Sequence, residues 1–127
     1  MALTLYHAAL AHNENNYDLV VYIGHNPLMD INPTFKPIES ASDDKLIPKA
    51  VVLACQSRSY FEDFVTDRNA TPYVLTNGNM APEAYSLDGI LKAWMNDEPA
   101  SAARNRAAQK YAQYQKIPLR NANWLFR

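Results

Sequence analysis

Two short apolar runs constrain this chain more than any other feature. Leu19-Val20-Val21-Tyr22-Ile23 and Ala50-Val51-Val52-Leu53-Ala54 have no alternation of polar and apolar residues. A strand with one wet face alternates, whereas a continuous β-branched run suits a strand covered on both faces, as in a parallel sheet. A third run, Pro72-Tyr73-Val74-Leu75-Thr76, is closed by the turn signal Asn77-Gly78. Between the second and third runs, Tyr60, Phe61, Phe64 and Val65 recur at helical spacing over residues 59–66. Strand and helix in alternation predict an α/β fold, three layers (αβα) around a mostly parallel sheet.

The remaining segments supply helices. Leu3, Tyr6, His7 and Leu10 predict one over residues 3–12, before the polar stretch Asn13-Glu14-Asn15-Asn16. Pro82 opens another over residues 83–96, with Leu87, Ile90, Leu91 and Trp94 on one face. Asp97-Glu98-Pro99 ends it. The last runs over residues 100–116. Its alanines at 102, 103, 107, 108 and 112, with Tyr111 and Tyr114, predict a close helix–helix seam. Ile117-Pro118 stops it, and Asn123-Trp124-Leu125-Phe126 is apolar enough to dock. Residues 27–49, with prolines at 27, 33, 37 and 48, read as a long irregular connection. Asp43-Asp44 within it reads as solvated. Three strands are few for such a sheet. We therefore expect residues 1–127 to be a single domain or a fragment of one. The sheet would be completed by a partner chain, by a second copy, or by residues preceding these in a longer domain.

Charge and cysteine content remove several function classes. Twelve basic against thirteen acidic residues leave a net charge of −1, which argues against nucleic acid or an anionic membrane as the main partner. A single cysteine excludes an internal disulfide and a multi-cysteine zinc site. His7 and His12 are five apart, not the four of a same-face metal pair, so no metal site is read there. No Gly-rich phosphate loop is present, and no cofactor is expected. No apolar run approaches the roughly 20 residues that cross a bilayer. The stretch from Met1 to His7 lacks a basic leader region. The expectation is a soluble protein of the cytoplasm.

In open parallel sheets, sites lie beyond the carboxyl ends of the strands. His25 follows one such end and Cys55 another. A cysteine nucleophile acts as its thiolate, with a histidine near it to take or hold the proton. A helix starting directly after Cys55 would favour the thiolate through its dipole. No histidine follows residue 25, so papain-like and class I amidotransferase orders, in which the histidine comes after the cysteine, are excluded. Taken alone, a strand-end cysteine is more often packing than chemistry. The matching position of His25 is what shifts that balance.

The order of these blocks, Val20-Val21-Tyr22-Ile23-Gly24-His25 and then Val51-Val52-Leu53-Ala54-Cys55, resembles the caspase–legumain–gingipain group of cysteine peptidases. Ala54-Cys55-Gln56-Ser57-Arg58-Ser59 is most similar to the legumain-type Ala-Cys-Glu-Ser-Gly-Ser run. Thr76-Asn77-Gly78-Asn79 with Pro82-Glu83-Ala84-Tyr85 is loosely similar to the segment after the next legumain strand. The likeness spans residues 19–85 and implies a caspase-like fold, with the site formed by strand ends at 24–26, 55–58 and 76–79. It implies Cys55 as nucleophile and His25 as general acid/base, without a third carboxylate, so Asp30 receives no role. Backbone N–H groups of Asn26 and Cys55 would hold the oxyanion. Gln56 stands where legumains carry a pocket glutamate, with Ser57, Arg58 and Asn77 beside it as substrate contacts. The substrate would be a peptide or protein.

The chain departs from the pattern at named places. Asn26 replaces the glycine that follows the family histidine. The caspase Arg-Gly after the cysteine is absent. His25 and Cys55 are 30 residues apart, against roughly 50 in caspases. The strands that precede the histidine strand in that fold are not readable in residues 1–18. Two rival readings follow: an inactive domain of the same fold that binds a partner, or a small flavodoxin-like domain with a ligand at its strand ends.

Overall fold

The structure, a computed structural model, describes residues 2–35 and 46–127. Pro37, Asp43 and Asp44, and with them the middle of the expected 27–49 connection, lie outside those residues. In chain order the elements are α1 (Ala2–Ala11), β1 (Leu19–Ile23), a 3-10 turn (Pro27–Met29), β2 (Lys49–Leu53), α2 (Ser57–Thr66), β3 (Thr71–Val74), α3 (Ala84–Met95), α4 (Ala100–Gln115) and α5 (Leu119–Leu125). The strands form one parallel sheet in the order β1-β2-β3. This is the α/β arrangement read from the strand–helix alternation, in three layers.

The layers follow from the pleat of β2. Val51 and Leu53 face one side and pack with Ile90, Ala103, Ala107, Leu125 and Phe126 from α3, α4 and the α5 end. Ala50 and Val52 face the other and pack with Leu3, Tyr6, Leu10, Phe61 and Val65 from α1 and α2. Ala50 to Leu53 are completely buried, as expected for a central strand with both faces covered. β1 corrects the same expectation. Its first four residues are half-buried and Ile23 is exposed, because among the described residues β1 is an edge paired with β2 alone. An apolar run reports the residues a strand can bury; sheet order decides how many it does. The opposite edge, β3, carries Pro72, which has no N–H to offer a further strand.

The alanine seam is present. Gly89 lets α3 and α4 approach so closely that a Cβ there would stand 2.7 Å from the Arg106 carbonyl oxygen. Ala103, Ala107 and Ala108 are completely buried beside it. Tyr111 is buried in this seam and its hydroxyl accepts from Ala81 N at 3.0 Å. Tyr114 is exposed, and its ring stacks on Tyr85 of α3 at the solvent-facing side of the same helix pair. The tail expected only to dock forms α5, and Ala122, Leu125 and Phe126 anchor it.

Candidate active site

β1 and β2 end level with each other. Ile23 pairs with Leu53 in the parallel register, and Gly24 N donates to Leu53 O at 3.2 Å. Gly24 then turns with φ 151°, a conformation other residues rarely adopt, and carries the chain off the sheet. Gly24-His25-Asn26 and Ala54-Cys55 therefore emerge side by side at the carboxyl rim.

Asn26, the residue after His25, makes the side-chain bond across this gap. It is completely buried. Its Nδ2 donates to Cys55 O at 2.7 Å, and its Oδ1 accepts from Leu28 N at 3.0 Å, capping the 3-10 turn. The side chain that replaces the family glycine is thus a clamp between two strand ends. His25 faces outward, with its side chain 71% exposed. Its Nε2 pairs with the Asp30 carboxylate. Asp30 is the site residue that sequence reasoning left without a role. The signal was an acid five positions after the histidine, returned by a turn that Pro27 and the Asn26 cap both favour. Beneath His25, the Tyr22 hydroxyl donates to the His25 carbonyl at 2.8 Å, and burial pushes the Tyr22 phenol pKa up.

Cys55 is half-buried. Met80 N lies 3.4 Å from its Sγ, and Met80 O lies 3.5 Å from it. The α2 amides are used differently from expectation. Gln56 N donates to Gly78 O at 2.8 Å, Ser57 N to Thr76 Oγ1 at 3.1 Å and Arg58 N to Thr76 O at 2.9 Å. The opening of α2 is spent on holding the residues after β3, and the amide that reaches the sulfur comes from Met80.

The four expected substrate contacts divide. Gln56 stays on the rim in left-handed conformation (φ 50°), its Nε2 donating to Asn79 Oδ1 at 3.1 Å. Ser57 is a correction: it is completely buried, its hydroxyl donates to Val52 O at 2.8 Å and accepts from Thr76 N at 2.8 Å. It ties α2 to β2 and to the segment after β3, and its burial keeps it from a substrate. Arg58 and Asn77 are engaged within the chain. The Arg58 Nη2 donates to the Arg127 carbonyl. Asn77 Nδ2 donates to Trp124 O at 2.8 Å and Arg127 O at 3.0 Å, while its N donates to Leu125 O at 2.8 Å. Their polar atoms hold the end of α5 against the rim. Gly78 permits this, because a Cβ there would meet the Trp124 ring at 2.7 Å.

Among the described residues, no group of three His, Cys, Asp or Glu side chains is placed to hold a metal ion, and no helix is long and apolar enough to cross a membrane. Comparison of the chain with protein-family models, with curated proteins and with solved structures finds no match.

Proposed function

We propose that this chain is a cysteine hydrolase of the caspase–legumain–gingipain kind, acting on a peptide or protein through Cys55 and His25. The observation that carries the reading is the level ending of β1 and β2, which sets residues 25 and 55 at neighbouring exits from the sheet. Support also comes from the half-buried sulfur with the Met80 amide on it. The Asp30 carboxylate on His25 supports it further, as an acid that orients an imidazole.

In this mechanism the Cys55 thiol passes its proton to His25 as Sγ attacks the substrate carbonyl carbon, and the oxyanion forms against the backbone N–H groups of Asn26 and Cys55. Collapse breaks the C–N bond, and the leaving amine takes its proton from His25. Water then attacks the thioester, giving its proton to His25; the acid departs and the thiol is restored. With Nε2 on Asp30, His25 works through Nδ1. A free thiol of this type fits a reducing compartment such as the cytoplasm.

Alkylation of Cys55 by iodoacetamide across pH 5–9 tests the dyad. His25→Ala is expected to lower the neutral-pH rate by about a hundredfold, the usual scale of general-base assistance. Cys55→Ala is expected to abolish labelling and hydrolysis of a mixed peptide pool. An unchanged alkylation rate in His25→Ala, or hydrolysis that persists in Cys55→Ala, removes the dyad.

One observation favours the rival reading of a non-catalytic partner-binding domain: Arg58 and Asn77 are engaged by residues 124–127 instead of facing a substrate groove. That reading expects a Cys55 no more reactive than a free cysteine, and an unaltered rate in His25→Ala.

A further inference from the structure

Away from Cys55, α4 and α5 border an open cavity of about 460 Å3 whose charged lining side chains are all arginines. Arg104 and Asn105 line it from α4; Arg120, Asn123 and Trp124 line it from α5; Arg127 closes the rim. Among the described residues, no Asp or Glu lines it.

The contrast with the other arginines is informative. The Arg58 guanidinium binds the Arg127 carbonyl, Arg68 binds His7 and the Phe64 carbonyl, and Arg106 forms a two-point pair with Glu98 at 2.9 Å. Among the described residues, no carboxylate pairs with Arg104, Arg120 or Arg127. In a chain of net charge −1, three guanidiniums around one hollow, none with a carboxylate partner among the described residues, are a local concentration and not a general excess. Like charges gathered without a counter-charge repel, so the arrangement gains free energy when an anion enters. Ser101, in the first turn of α4, also lines the cavity. That turn contains no acid and no side-chain cap, so the positive end of a sixteen-residue helix adds to the same field.

The remaining lining narrows the anion. Guanidiniums match phosphate oxygens two at a time. Trp124 lines the cavity and is 56% exposed, and an indole of this kind can stack a planar ring. The amides of Asn105 and Asn123 supply donors and acceptors for the polar edge of such a ring.

We propose that this cavity is a binding site for a small phosphorylated ligand carrying a planar heterocycle, a nucleoside di- or triphosphate in type. The phosphates lie among Arg104, Arg120 and Arg127, and the ring stacks on Trp124. The site is independent of the Cys55 chemistry and stands whether or not that reading does.

Titration of the full chain with ATP, tripolyphosphate and adenosine, followed by calorimetry and Trp fluorescence, tests it. ATP is expected to bind saturably, tripolyphosphate about tenfold more weakly, and adenosine at least about a hundredfold more weakly, since charged contacts supply most of the affinity. The double variant Arg104→Gln with Arg120→Gln is expected to lose ATP binding by at least about tenfold with unchanged circular dichroism. Trp124→Leu is expected to bring ATP down to the tripolyphosphate level. Arg120→Lys, which keeps charge without the fork, is expected to fall between wild type and Arg120→Gln. The proposal is overturned by absence of saturable binding to both phosphates, by ATP affinity that ignores the double substitution, or by a single-stranded oligonucleotide binding tighter than ATP.

Discussion

At the residue scale, the groups that could act chemically differ most from expectation in where their side chains are spent. Asn26 and Ser57 are polar, small and near Cys55 in sequence or space. Both are completely buried and both satisfy backbone groups left open where strands end. An unpaired buried carbonyl or amide costs about 1–3 kcal/mol, so a strand end recruits whatever side chain can reach it. His7 belongs to the same class. It is buried, its Nδ1 accepts from Arg68 Nε at 2.7 Å, and its ring stacks on Phe35 at 4.4 Å. Arg68 in turn lies over the Phe64 ring at 3.4 Å. Burial and the Arg68 charge hold the His7 pKa below the ordinary 6.5. The unfolded chain therefore binds this proton more readily than the folded one. Stability is full above pH 6.5 and falls as pH drops below it, levelling off beneath the folded pKa. Urea midpoints between pH 7.5 and pH 5 should show this decline. His7→Gln should flatten it, and an equal slope in that variant would assign the decline to other groups.

At the element scale, periodicity and small residues carried most of the information. The bounds of α3 and α4 fall within a residue of the expected 83–96 and 100–116, because Pro82, Pro99 and Pro118 mark entry and exit by steric rule. α5 was legible only as an apolar tail. Seven residues make two turns, too short for a helical period to stand out, and its stability comes from docking Ala122, Leu125 and Phe126. The seam between α3 and α4 yields a sharp expectation. Gly89→Ala places a methyl 2.7 Å from the Arg106 carbonyl oxygen, an atom of a rigid helix backbone. Despite the better helix propensity of alanine, the variant should lose about 1–3 kcal/mol in urea unfolding, the usual cost of overpacking. A neutral or stabilised Gly89→Ala protein would mean that the helices separate freely.

At the scale of the whole molecule, the rim of the sheet joins three parts of the chain. The segment after β1 is held by Asn26, the start of α2 by Ser57 and Thr76, and the end of α5 by Asn77 and Arg58. The α5 anchorage lies beside the Cys55 turn, since Gln56 N bonds Gly78 O and the Trp124 ring covers Gly78. Asn77→Ala removes the two bonds of the side-chain amide, to Trp124 O and Arg127 O, and leaves the backbone bond to Leu125 O. It should raise amide hydrogen exchange across residues 119–127 and quicken Cys55 alkylation together. Exchange that quickens with no change at Cys55 would show that the two regions move separately.

By itself, the order of residues determined the layers: which runs become strands, that they are parallel with helices between them, and that His25 and Cys55 leave at strand ends. Those features depend on neighbours a few positions apart, where sterics and hydrophobic period act directly. Tertiary structure alone decided that β1 is the open edge, that Asn26 points in while His25 pairs outward with Asp30, and that Arg58 and Asn77 hold α5. It alone gathered Arg104, Arg120 and Arg127 around one hollow. Each of these depends on groups far apart in the chain competing for the same unpaired backbone atoms or the same limited space. That competition is settled when the layers close, because only then does each polar atom find which partners are within reach.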